Sequence, residues 1–223
     1  MKKWIISNHK QGLEEDKLND YIKNLENIDI SNINFILCPN HNQLSSFTNL
    51  NYQLGSQDIV LPVEEMKNNS INYAIVGHRD TRINESETNE IINLKIKKLL
   101  TNNIIPILCV GEEENANPIE VVENELIEGL KDIENKKIII AYEPNWAIGN
   151  DVIPKTDVIN SVINKIKEIA NNKNLDIIIL YGGSVNSETI SILEELKLDG
   201  YLIGRASLDI NLLKGIIEVI KWH

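Results

Sequence analysis

Six stretches of this 223-residue chain carry side chains suited to proton transfer and anion binding, and each follows a run of apolar, largely β-branched residues. Asn8-His9-Lys10 comes after Trp4–Ile6, and Gly77-His78-Arg79-Asp80 after Tyr73–Val76. Gly111-Glu112 follows Ile104–Val110, and Glu143-Pro144-Asn145-Trp146-Ala147-Ile148-Gly149 follows Ile138–Tyr142. Gly182-Gly183-Ser184 ends the run Ile177–Tyr181, and Gly204-Arg205-Ala206-Ser207 ends Gly200–Ile203. A carboxylate such as Glu143, with Pro144 stiffening the chain beside it, suits a general base in a dry pocket. Histidine exchanges protons near neutrality, lysine neutralises an anion, and glycine turns let backbone N–H groups approach one closely.

The apolar runs read as strands. Ile138-Ile139-Ile140 and Ile177-Ile178-Ile179 are apolar at consecutive positions, the pattern of a strand covered on both faces, as in a parallel sheet. Ile33–Cys38 and a weaker candidate at Tyr52–Leu54 bring the strands to eight. Helical spacing fills the intervals: Ile119, Val122, Leu126, Leu130; then Val158, Val162, Ile166, Ile169; then Leu212, Leu213, Ile216, Ile217, Ile220. Alternating strands and helices predict an α/β protein, either a doubly wound sheet or a (β/α)8 barrel. Eight units of about 28 residues fit a compact barrel. In both architectures reactive groups gather at the C-terminal strand ends, where all six stretches fall.

Composition excludes several classes. With 22 Lys+Arg against 33 Asp+Glu the net charge is −11, which argues against nucleic acid or an anionic membrane as partner. No apolar run is long enough to span a bilayer, and three apolar residues after Met1-Lys2-Lys3 are too few for a secretory signal. Cys38 and Cys109 alone make neither a disulfide framework nor a metal site. The expectation is a cytoplasmic protein, residues 1–223 forming one domain.

The motifs resemble the triosephosphate isomerase family over essentially the whole chain. Ala141 to Gly149 is similar to that family's catalytic strand end and lid. Supporting matches are Tyr181–Asn186, Ile107–Glu112, Val76-Gly77-His78, Asp199–Gly204 and Ala206-Ser207-Leu208, all in the family's order. The resemblance implies a TIM barrel that interconverts dihydroxyacetone phosphate and D-glyceraldehyde 3-phosphate without cofactor or metal. It implies Glu143 as the base and His78 as a neutral electrophile, the assignment established for triosephosphate isomerases. Lys10 and Asn8 would stabilise the oxyanion, and Gly149, Ser184, Gly182, Gly183, Gly204 and Arg205 would surround the phosphate. Cys109 reads as packing, and Glu112, Asp80 and Arg79 as supports of the reacting groups.

The sequence also departs from the family. Arg79-Asp80-Thr81-Arg82 stands where Ser-Glu-Arg-Arg is usual, so the acidic side chain is one methylene shorter. Arg79 could pair with Asp80, bind a further substrate group, or lower the pKa of Glu143. Arg205 replaces a glycine, His9 a tryptophan, and Asn145 an apolar hinge residue of the lid. The segment 55–63 lacks the long loop that normally builds the homodimer, which puts the expected dimer in question. Three readings stay open: the triose phosphate isomerase, a related isomerase of another short sugar phosphate such as a tetrulose phosphate, and a weakly active phosphate-binding paralogue.

Overall fold

The computed structural model describes residues 2–47 and 51–222. Its strands are β1 (Lys3–Asn8), β2 (Ile33–Cys38), β3 (Gln53–Ser56), β4 (Ile71–Val76), β5 (Ile105–Val110), β6 (Lys137–Tyr142), β7 (Asp176–Tyr181) and β8 (Gly200–Ile203). They close into a parallel barrel in chain order, β8 pairing with β1. The helices are α1 (Glu15–Leu25), α2 (Val63–Asn68), α3 (Arg79–Asn84), α4 (Asn89–Thr101), α5 (Pro118–Gly129), α6 (Thr156–Asn172), α7 (Thr189–Leu193) and α8 (Ile210–Trp222).

The consecutive isoleucines now have two destinations. Ile6, Ile36, Ile75, Ile107, Ile139, Ile178 and Leu202 form one buried cluster, which fills the barrel. Their neighbours Ile5, Leu37, Ala74, Leu108, Ile138, Ile140, Ile179 and Ile203 belong to another, packed beneath the helices. Because successive strand residues face opposite sides, a barrel strand must be apolar at both parities. The covering helices contribute stripes such as Ile92, Ile96 and Leu99 of α4, and Ile159, Val162, Ile163 and Ile166 of α6. Each such buried isoleucine contributes about 1.5–3 kcal/mol relative to an exposed one. Asn117 starts α5 by accepting the N–H groups of Ile119 and Glu120, with Pro118 in the first turn.

Three local expectations change. The connection after β2 contains a 3-10 turn, His41–Ser46, where a helix is expected. Two helices follow β4. Leu212, expected in the α8 core stripe, is 51% exposed, while Leu213, Ile216, Ile217 and Ile220 are buried. The shortened segment after β3 is present as read: residues 57–62 run straight into α2. It is pinned by Lys95 of α4, whose ammonium lies 2.5 Å from Asp58 and also contacts buried Glu87. Among the described residues no helix is long and apolar enough to cross a membrane.

Candidate active site

The inward register of the strands aims two of the candidate side chains. Continuing the alternation Trp4, Ile6 places Asn8 at the top of the barrel, and Ile139, Ala141 likewise leads to Glu143; both are buried. Gly77 breaks that alternation. Its φ of +69° suits glycine, and a Cβ there would crowd Ile92, Arg82 and the Cys109 carbonyl. The break turns His78 towards the axis, where its Nε2 stands 3.6 Å from Glu143 Oε1.

Hydrogen bonding fixes the histidine's tautomer. The Asp80 N–H donates to His78 Nδ1 at 3.2 Å, so that nitrogen carries no proton. The ring is therefore neutral, with its N–H on Nε2, facing the carboxylate. Glu143 is 3% exposed, and its Oε2 has no hydrogen-bond partner. An orphaned buried carboxylate oxygen is costly, and it is a ready proton acceptor. Gly182 makes room for it, since a Cβ there would lie 2.7 Å from Glu143 Cγ. Beneath it the Cys109 thiol is pushed well above its ordinary pKa by burial and then by the Glu143 charge, which fits packing rather than reactivity.

Lys10 sits in the left-handed region at φ 47°, its N–H held by Asn8 Oδ1 at 3.1 Å. Its ammonium is 3.2 Å from Asp80 Oδ2, and its stem passes within 3.4 Å of where a Gly204 Cβ would be. Burial is the largest single influence on the Asp80 carboxyl and raises its pKa, but the Lys10 charge and hydrogen bond, together with His78 and Arg79, outweigh it and hold the carboxyl below its usual value.

Beside Lys10 opens a cavity of about 360 Å³ whose lining includes Gly149, Gly183, Ser184, Gly204 and Arg205. The N–H groups of Gly149, Ser184 and Gly204 donate to no backbone acceptor among the described residues, and so remain open to an anion. The Gly182 N–H, by contrast, is engaged, donating to Tyr142 O at 2.8 Å. Leu212, absent from the core, lines this cavity.

The segment from Pro144 to Asp151 bridges the strand ends. Glu112 anchors its hinge by accepting from Trp146 Nε1 (2.9 Å) and from the Tyr142 hydroxyl. Asn145 donates its N–H to Glu112 O and its amide to Gly111 O. Ser184 Oγ donates to Ala147 O (2.7 Å) and accepts from the Asp151 N–H (3.1 Å), fastening the far end to β7. A neutral histidine, a buried carboxylate with one unpartnered oxygen, an ammonium and a cradle of free N–H groups thus share one rim of the barrel.

The sequence profile described as "Triosephosphate isomerase" matches residues 3–220. The chain belongs to the triosephosphate isomerase family. A triosephosphate isomerase of Ureaplasma parvum serovar 3 is 36% identical over 239 residues, covering 98% of this chain and all of the relative. That of Mycoplasmopsis pulmonis (strain UAB CTIP) is 33% identical, covering 98% of this chain and 84% of its own. That of Orientia tsutsugamushi (strain Ikeda) is 36% identical over 76% of each chain.

Within this triosephosphate isomerase fold the departures acquire partners. Asp80, though a methylene shorter, still reaches Lys10. Arg79 Nε lies 3.6 Å from Glu113 Oε1, and the Arg79 charge is among those that hold the Asp80 carboxyl down. His9 Nε2 is 3.1 Å from the Tyr21 hydroxyl, which itself donates to Ser207 O at 2.6 Å. The hydroxyl must therefore accept from His9, leaving His9 Nδ1 as a buried acceptor with no partner. This relay braces the turn after β8, and sequence reasoning missed Tyr21 because nothing near it in sequence points to β8.

Proposed function

We propose that the chain interconverts dihydroxyacetone phosphate and D-glyceraldehyde 3-phosphate, with Glu143 as base and His78 as electrophile. The observation that carries this reading is the unpartnered Glu143 Oε2 beside a histidine whose proton faces the pocket. Glu143 takes a proton from C1 of the ketose, and the C–H electrons form a C1–C2 double bond while charge moves to the carbonyl oxygen. His78 Nε2–H and the Lys10 ammonium stabilise that enediolate, and removing one such donor costs about 10²–10³-fold in rate. His78 Nε2–H then gives its proton to O2 and takes the hydroxyl proton from O1, so that the charge moves to O1. As C1=O forms, Glu143 returns its proton to C2 to complete the aldose. The dianionic phosphate suits the 360 Å³ cavity, with Lys10 and the free N–H groups as its partners. The anchored lid keeps water from the enediolate.

A coupled assay of both trioses tests this reading, with Glu143→Gln as the variant that keeps shape but cannot take the proton. The expected loss in kcat is about 10²–10⁴-fold. A variant at full rate refutes the assignment, and turnover of erythrulose 4-phosphate without turnover of the trioses refutes the substrate.

For assembly we propose a second copy of the chain as partner. Val60, on the connection pinned by Lys95, and Ile83, Ile91 and Leu94 on α3 and α4 are 40–66% exposed. Apolar side chains gathered on neighbouring elements suit an interface. Light scattering across a dilution series checks it, and a monomer at all concentrations overturns it.

A further inference from the structure

Arg205 opens the 3-10 turn after β8, and its side chain reaches across to the lid. Nη2 donates to the Gly149 carbonyl at 2.5 Å, joining positions 56 residues apart. The fit depends on Gly149, which is at φ +76° and on which a Cβ would collide with the guanidinium. Both residues line the cavity that holds the free N–H groups. One of the guanidinium's five N–H bonds is thus spent on the lid. Arg205 forms no ion pair among the described residues, in a chain of net charge −11. Its charge is left for an anion in the cavity. The other fastenings of the lid, from Ser184 and Asn186, are neutral donors and respond little to the charge of a ligand.

We infer that Arg205 is a positioning residue that latches the lid over a bound phosphate: it bridges the Gly149 carbonyl and the phosphate, so that occupancy strengthens closure. This rests on the isomerase reading above. Two consequences follow. The latch favours a dianionic ligand, because a guanidinium stays charged at every working pH and pairs with phosphate through several N–H groups. It also slows opening while the enediolate is present. An opened site lets the enediolate expel its phosphate: the ester C–O bond breaks, its electron pair leaves with inorganic phosphate, and the three-carbon enol left behind tautomerises to a dicarbonyl.

The experiment compares wild type with Arg205→Gly, Arg205→Lys and Arg205→Gln. Titration with inorganic phosphate should give about tenfold weaker binding for Arg205→Gly and Arg205→Gln, the scale of one charge-assisted hydrogen bond, with partial rescue by Arg205→Lys. In turnover KM should rise by a similar factor with kcat within about threefold, and inorganic phosphate released per isomerisation should rise in the same order of variants. A residue that merely braced the fold would lower the melting temperature and leave that ratio unchanged. Phosphate affinity and release ratio within twofold of wild type in Arg205→Gly overturn the latch. If wild type lacks triose turnover but phosphate binding still falls in Arg205→Gly, the isomerase reading fails and the latch stands.

Discussion

Gly182→Ala is the sharpest perturbation of the base. The glycine's φ lies outside the left-handed region, so alanine fits the backbone, yet its methyl would stand 2.7 Å from Glu143 Cγ and 3.1 Å from Oε1. Carbon atoms rest at about 3.5–4.0 Å, so the Glu143 side chain must retreat by about 1 Å. A misplacement of about 1 Å in a reacting group costs on the order of 10²-fold in rate, or about 2.7 kcal/mol of barrier. Gly182 does not line the cavity proposed for the phosphate, so KM should barely move. The assay is steady-state isomerisation with thermal melting as control, where overpacking should cost about 1–3 kcal/mol. In the Glu143→Gln background the same alanine should cost almost nothing further in kcat, because the two changes act on one group. A Gly182→Ala enzyme within threefold of wild type, or a full additional loss in the Glu143→Gln background, would falsify the claim that this glycine exists to place the carboxylate.

Two pH dependences follow from buried groups. Burial lowers the His9 pKa from 6.5 to about 4, so the unfolded chain takes up a proton between those values that the folded chain refuses. Stability present above pH 6.5 is lost as pH falls towards 4, by up to about 3 kcal/mol. His9→Phe should flatten that part of the urea-unfolding profile; equal slopes in the two proteins would sink the idea. Glu125 is the opposite case: burial raises its pKa from 4.5 to about 7, although it accepts the Gly111 N–H and sits 3.4 Å from Arg82. Its contribution is full below pH 4.5 and is lost as pH rises through 7, so Glu125→Gln should gain several degrees in melting temperature over wild type between pH 5 and pH 8. A constant difference across that range counts against it.

How far the sequence shows the site depends on the distance over which each contact forms. The strands are legible because a closed barrel demands apolar residues at both parities, and Ile138–Ile140 carries that demand within three letters. Glu143, His78 and Lys10 are legible because each lies just past a strand end. Partners chosen by barrel closure are not. Arg79 settles on Glu113 of the next strand's loop, Arg205 on a carbonyl 56 residues away, and Tyr21 on the turn after β8. Gly182 shows the same limit at one atom: its residue type marks a tight spot, but whether its N–H serves a ligand or Tyr142 is decided by the neighbouring strand. Leu212 fits the helical stripe of α8 by spacing, and only the geometry after β8 turns it towards the cavity.

The seam of the barrel sets the order in which this machinery can come into being. Lys10 and Asn8 leave β1, while Gly204 and Arg205 leave β8, and the two strands meet only when the cylinder shuts. β8 is held to β7 by two registered pairs, Leu180 with Gly200 and Tyr181 with Tyr201, against four to β1. A contact spanning nearly the whole chain carries a heavy loop-closure cost and forms late in folding. A nascent chain can therefore assemble the His78–Glu143 pair before Lys10 meets Gly204 and Arg205, and an anion gripped from both sides would tie the last strand of the chain to its first.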